Sequence, residues 1–218
     1  MKKADIASFY ARLAERTPDP VTELDYVNDY TLLVAVVLSA QATDAGVNRA
    51  TRDLFAEVTT PAQMVALGEE GLKRHIRTIG LFNTKAKNVI ALSARLIAEH
   101  NGEVPVDRDA LQALPGVGRK TANVVLNVAH GAETFPVDTH VFRVANRTGL
   151  APGKTVAAVE KKLEKETPAP WRNIAHHLLI LHGRYVCKAR RPECWRCVVA
   201  DLCRYRPKTP PPADSLAA

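Results

Sequence analysis

Lys120 follows the second glycine of Leu114-Pro115-Gly116-Val117-Gly118-Arg119-Lys120-Thr121-Ala122-Asn123-Val124-Val125, and a primary amine in that position can do one of two things. It can attack carbon, but only when deprotonated, and with an unperturbed pKa of ~10.4 about a thousandth of it is free near neutral pH. The positive end of a helix dipole, together with burial, would lower that pKa toward a useful range. Alternatively it can contact a phosphate, as its neighbour Arg119 can. The residue types leave both readings open.

The element that positions the amine is easier to read. Pro115 and two glycines interrupt an amphipathic segment, and Gly116 and Gly118 lack the Cβ that would forbid tight turning or close backbone approach. The pattern predicts a helix, a hairpin and a second helix. Backbone N–H groups at the start of that second helix make a seat for a phosphate, and a nucleic-acid backbone is the expected ligand. Further on, Asp138 in Val137-Asp138-Thr139-His140 can cap another helix.

All four cysteines fall in Cys187-x6-Cys194-x2-Cys197-x5-Cys203. Four clustered thiolates suit a metal site in a reducing compartment better than a disulfide frame. They suffice for one tetrahedral ion or one cubane cluster, and the spacing alone does not choose: it has only one short pair and is not a ferredoxin pattern. Residues 187–206 also contain Lys188, Arg190, Arg191, Arg196, Arg204 and Arg206 against Glu193 and Asp201, six minus two, a net of +4. Such a loop is either a solvated face or a grip on phosphates.

Helical periodicity dominates elsewhere, with Pro and Gly as stops, so an all-α protein is expected. Helices are predicted over about 4–16, 28–40, 42–58, 61–67, 69–78, 107–130 as the hairpin pair, 138–147, 155 onward and 171–185. Asn83 or Thr84 is expected to cap one more, closed by Gly102. Leu32 to Leu38 is apolar all round and should be a buried central helix. That run is far too short to span a bilayer, and no signal peptide is read at the N-terminus. A net charge of +7 favours a polyanionic partner, and 46% hydrophobic residues can build a real core.

The wording LPGVGRKTANVV closely resembles the helix-hairpin-helix DNA glycosylases of the endonuclease III family, and VDTH, LSAQATD (38–44), IGLFNTKA (79–86) and the cysteine spacing match further family blocks in order. The resemblance covers about 21–203. It implies a helical domain over 22–132 and a cluster-bearing helical domain from 1–21 and 133–206, while Pro207, Pro210, Pro211 and Pro212 make 207–218 a poor helix or sheet former, expected to be a disordered tail. It also implies a bifunctional glycosylase and abasic-site lyase for oxidised pyrimidines in duplex DNA, cytoplasmic and nucleoid-associated, monomeric, with no membrane partner. By residue, it implies Lys120 as Schiff-base nucleophile, Asp138 as its catalytic partner, and Gln41 and Leu81 filling the gap left by an extruded nucleotide. Gly116, Gly118, Arg119, Lys188, Arg190 and Arg191 are expected to contact DNA, and the resemblance implies that Cys187, Cys194, Cys197 and Cys203 hold a 4Fe–4S cluster. Phe82 stands where relatives often have tyrosine. The alternatives are a non-catalytic helix-hairpin-helix DNA-binding protein and an adenine-specific monofunctional glycosylase; the latter branch lacks the lysine and normally has an extra C-terminal domain.

Overall fold

The computed structural model describes residues 1–212, so the last part of the 207–218 tail expected to be disordered, 213–218, lies outside the described residues. Among the described residues ten α-helices run in order: α1 (Lys3–Arg16), α2 (Asp29–Leu38), α3 (Asp44–Glu57), α4 (Pro61–Ile76), α5 (Phe82–His100), α6 (Arg108–Ala113), α7 (Arg119–His130), α8 (Thr139–Thr148), α9 (Val156–Glu166) and α10 (Ala175–Tyr185). Among the described residues there is no strand, in line with the all-α expectation. The chain divides into two compact units, one of Thr22–Ala132 and one of Met1–Val21 with the chain from Glu133 onward.

In the continuous unit, α2 is the core. Every residue from Tyr30 to Leu38 is buried, and each large apolar side chain taken from water contributes roughly 1.5–3 kcal/mol. Its start is fixed by a reciprocal cap: the Asn28 side chain accepts from Thr31 N while the Thr31 hydroxyl accepts from Asn28 N. The Tyr30 hydroxyl, carried into this core, is matched by Ser93 Oγ of α5 at 2.7 Å, as a buried polar group must be. The segments predicted as 61–67 and 69–78 join into α4, but Gly68 (φ 72°, ψ 170°) breaks its geometry, so the two-helix reading survives as a kink.

The discontinuous unit closes around Ile6, Phe9, Tyr10 and Leu13 of α1 and the inner faces of α8, α9 and α10. The N-terminal ammonium donates to Gly149 O at 2.8 Å, and Tyr10 Oη meets Thr167 Oγ1 at 3.0 Å. Gly183 lets α10 approach α8: a Cβ there would sit 2.9 Å from that of His140. The last helix begins at Ala175, later than the predicted Trp171. Pro168 and Pro170 remove backbone donors just before it, and the chain makes a 3-10 turn over Ala169–Trp171 instead.

Candidate functional site

The hairpin between α6 and α7 is built as its glycines require. Leu114 ends α6, Val117 N donates to Leu114 O at 3.1 Å, and Gly116 takes φ 78° between them. Its side-chain position is already filled, since a Cβ would fall 2.9 Å from Asn88 Cβ of α5. Gly118 differs. It is the N-cap of α7 in extended conformation, offers no side-chain oxygen to the first turn, and a Cβ there would meet nothing within 4 Å. The first glycine lets the turn pack against the protein; the second leaves the outer face of the turn open to a ligand.

Arg119 and Lys120 are the first two residues of α7 and both are exposed. The burial expected to help lower the lysine's pKa is therefore not provided by the protein itself, because the hairpin turns these side chains outward.

Gln41 and Leu81 lie at the tips of two connections in the same unit. Both are exposed, and both hold left-handed backbones unusual for residues with a Cβ, with φ 53° and 58°. The expectation that Asn83 or Thr84 caps α5 is corrected. The helix begins at Phe82 with Leu81 as an N-cap that has no side-chain acceptor, so the capping position is given to an apolar side chain 58% exposed. One turn on, Lys85 is buried, its Nζ has no hydrogen-bond partner among the described residues, and burial holds its pKa below the ordinary value.

In the discontinuous unit, Asp138 caps α8, its Oδ1 accepting from Val141 N at 2.8 Å. A carboxylate has a second oxygen, so capping leaves Oδ2 able to do chemistry. The side chain is half-buried.

The four cysteines line one cavity together with Arg147 and His182. Burial pushes the Cys197 thiol up to about 11 and raises that of Cys187, so thiolates there call for a positive partner, which a metal centre supplies. Four sulfurs around a shared cavity suit a multi-iron cluster, whereas a lone zinc draws its ligands to about 2.3 Å. Hydrogen bonds already point at the sulfurs: Arg147 Nη1 to Cys187 Sγ at 3.5 Å, Tyr205 N to Cys203 Sγ at 3.4 Å, and a His182 Nε2 to Cys197 Sγ contact at 3.6 Å.

The pattern of the HhH-GPD superfamily base excision DNA repair proteins matches residues 34–169, and that of the iron-sulfur binding domain of endonuclease III matches 187–203. Endonuclease III of Escherichia coli (strain K12) is 56% identical over 208 residues, 95% of this chain and 99% of the relative. That of Treponema pallidum (strain Nichols) is 53% identical over 198 residues, 91% and 94% of the two chains. The chain belongs to the endonuclease III family. A trapped endonuclease III–DNA covalent intermediate superposes with a TM-score of 0.88 at 48% identity, covering 94% of this chain and 96% of that one. A thermostable thymine-DNA glycosylase, 23% identical with a TM-score of 0.82, shares the fold.

Endonuclease III family members are DNA glycosylase and lyase enzymes whose cofactor is a 4Fe–4S cluster, and the cysteine cavity fits that cofactor. Sequence reasoning missed the residues that organise its loop. Arg143 donates to Cys187 O at 3.0 Å and Gly183 O at 2.8 Å; Arg147 donates to Lys188 O at 2.7 Å and Ala189 O at 3.0 Å and stacks on the Tyr205 ring at 4.9 Å. The signal was present as two arginines four apart on one helix face, just after VDTH. Of the loop cations, Lys188 is paired with Glu193 at 2.6 Å. Arg190 and Arg191 are exposed and carry no ion pair among the described residues.

Proposed function

We propose that this chain excises oxidised pyrimidines from duplex DNA and then cuts the strand at the abasic site, working as a monomer in the cytoplasm on nucleoid DNA. The observation that carries the reading is Lys120 in the exposed first turn of the hairpin's second helix, in a chain similar at 48% identity to an endonuclease III trapped covalently on DNA.

A base inside the stack is out of reach, so the nucleotide is extruded first, and the exposed side chains of Gln41 and Leu81 occupy the gap. The Gly116–Gly118 turn and Arg119 seat the backbone, and Arg190 and Arg191 add phosphate contacts. Lys120 Nζ donates its lone pair to C1′; the C1′–N bond breaks and its electrons leave with the base, which takes up a proton. Asp138 Oδ2 stabilises the positive charge that develops at C1′ and relays protons. Ring opening gives a protonated imine between Nζ and C1′. Loss of a C2′ proton then drives β-elimination, breaking C3′–O and releasing the 3′ phosphate, and water frees the lysine. The cluster, held by Cys187, Cys194, Cys197 and Cys203, supplies a rigid anchor for the basic loop.

Borohydride reduction of the imine tests this. Wild type should be trapped on duplex carrying an oxidised pyrimidine, whereas Lys120→Gln should bind that duplex and give no adduct. An adduct from Lys120→Gln would move the nucleophile elsewhere and make Lys120 a phosphate contact.

A further inference from the structure

The discontinuous unit contains a second cavity, of about 300 Å³, that the repair chemistry does not use. Its walls are the end of α1, the outer face of α10 and the loop between Cys194 and Val198. Arg12 straps the first wall to the third, donating to Val198 O at 3.2 Å and to Asp201 Oδ1 at 2.8 Å. The volume falls at the small end of ligand sites, roughly 300–1,000 Å³.

Its chemistry is asymmetric. Leu13, Leu178 and Leu181 make an apolar floor, while Arg16 and Arg196 bring two guanidinium groups, and no carboxylate lines the cavity. Arg196 is held in place by Glu193 and by donating to Tyr185 O at 2.6 Å. Arg16 is exposed in the last turn of α1 and has no ion pair among the described residues. Apolar surface also continues past the mouth, since Tyr185 and Val198 line the cavity yet are 53% and 37% exposed. A free small acid would leave that rim uncovered; a longer chain would cover it.

We propose that this cavity binds the C-terminal end of an acidic peptide, an apolar last side chain resting on the leucines and its terminal carboxylate facing Arg16 and Arg196. The cavity is in touch with the cysteine site, because His182 lines it and lies 3.6 Å from Cys197 Sγ.

The test uses cluster-loaded full-length protein and fluorescein-labelled Asp-Glu-Leu-Leu with a free C-terminus, followed by anisotropy. Saturable binding is expected, with a change in the visible circular dichroism of the cluster as His182 is disturbed. Arg16→Glu, at an exposed position, and amidation of the peptide's C-terminus should each weaken binding about tenfold or more, as a like charge or a lost charge at such a contact does. Leu181→Trp should block the floor, and its unfolding curve and iron content report whether it is folded. Absence of saturable binding, or binding that Arg16→Glu and amidation leave intact, overturns the proposal. N-acetyl-leucine competing as well as the peptide also overturns it, since the occupant would then be a free acid.

Discussion

The backbone carbonyl of Gln41 lies against Gly80, the residue before Leu81: a Cβ on that glycine would stand 3.9 Å from Gln41 O. The two left-handed residues are therefore at the tips of adjoining turns of the continuous unit. Left-handed backbone costs a residue with a Cβ about 1–3 kcal/mol, and such strain persists where the surroundings over-determine it.

Leu81→Gly separates that strain from the side chain. Glycine accepts φ 58° freely, so thermal unfolding should show stability unchanged or raised by about 1 kcal/mol. Excision of a damaged base should fall, because nothing apolar then fills the helix. Retained excision at wild-type rate would make Leu81 a surface leucine.

The hairpin glycines should respond differently to alanine. Gly116→Ala meets Asn88 at 2.9 Å on a positive φ and should cost about 1–3 kcal/mol of stability. Gly118→Ala, with φ −90° and open space beyond, should cost under about 1 kcal/mol while weakening DNA binding. Denaturation curves beside DNA titrations decide it; equal destabilisation would mean that the second glycine is structural.

Asp138 should show its two oxygens separately. Asp138→Asn keeps an acceptor for Val141 N and should fold normally, with turnover slowed about 10²- to 10⁴-fold. Asp138→Ala should lose the same catalysis and about 1 kcal/mol of stability besides. Equal melting temperatures for the two variants would show that the 2.8 Å cap contributes nothing.

His177, on α10, is held below its ordinary pKa of 6.5 by burial. A depressed imidazole is neutral in the fold while the unfolded chain takes up a proton, so stability is complete above about pH 6.5 and declines as pH falls through and below it. His177→Gln should flatten that part of the stability–pH curve. A curve unchanged by the substitution would assign the acid sensitivity to other groups.

Much of this was legible because local chemistry and tertiary role coincide. The apolar run of α2 is a core helix whatever surrounds it, and Asp138 caps α8 through a backbone N–H only three residues on. The start of α5 was misplaced because Asn83 and Thr84 are better caps than leucine, whereas the helix begins at Phe82 behind a left-handed Leu81. Arg143 and Arg147 escaped for a related reason. Their partners are carbonyls some forty residues downstream, which no spacing rule connects. Lys120 was singled out by its position in the motif, while its exposure could not be read from its neighbours.

The two units also differ in when they can form. Thr22–Ala132 is contiguous and can fold as soon as it leaves the ribosome, during synthesis at about 5–20 residues per second. The first twenty-one residues cannot join their unit until α8, α9 and α10 have been made. Until then Ile6, Phe9, Tyr10 and Leu13 line one face of a helix with nothing to pack on. That helix is the segment a chaperone would meet on the nascent chain, and a truncation at Ala132, which removes α8, α9 and α10, would strand it permanently.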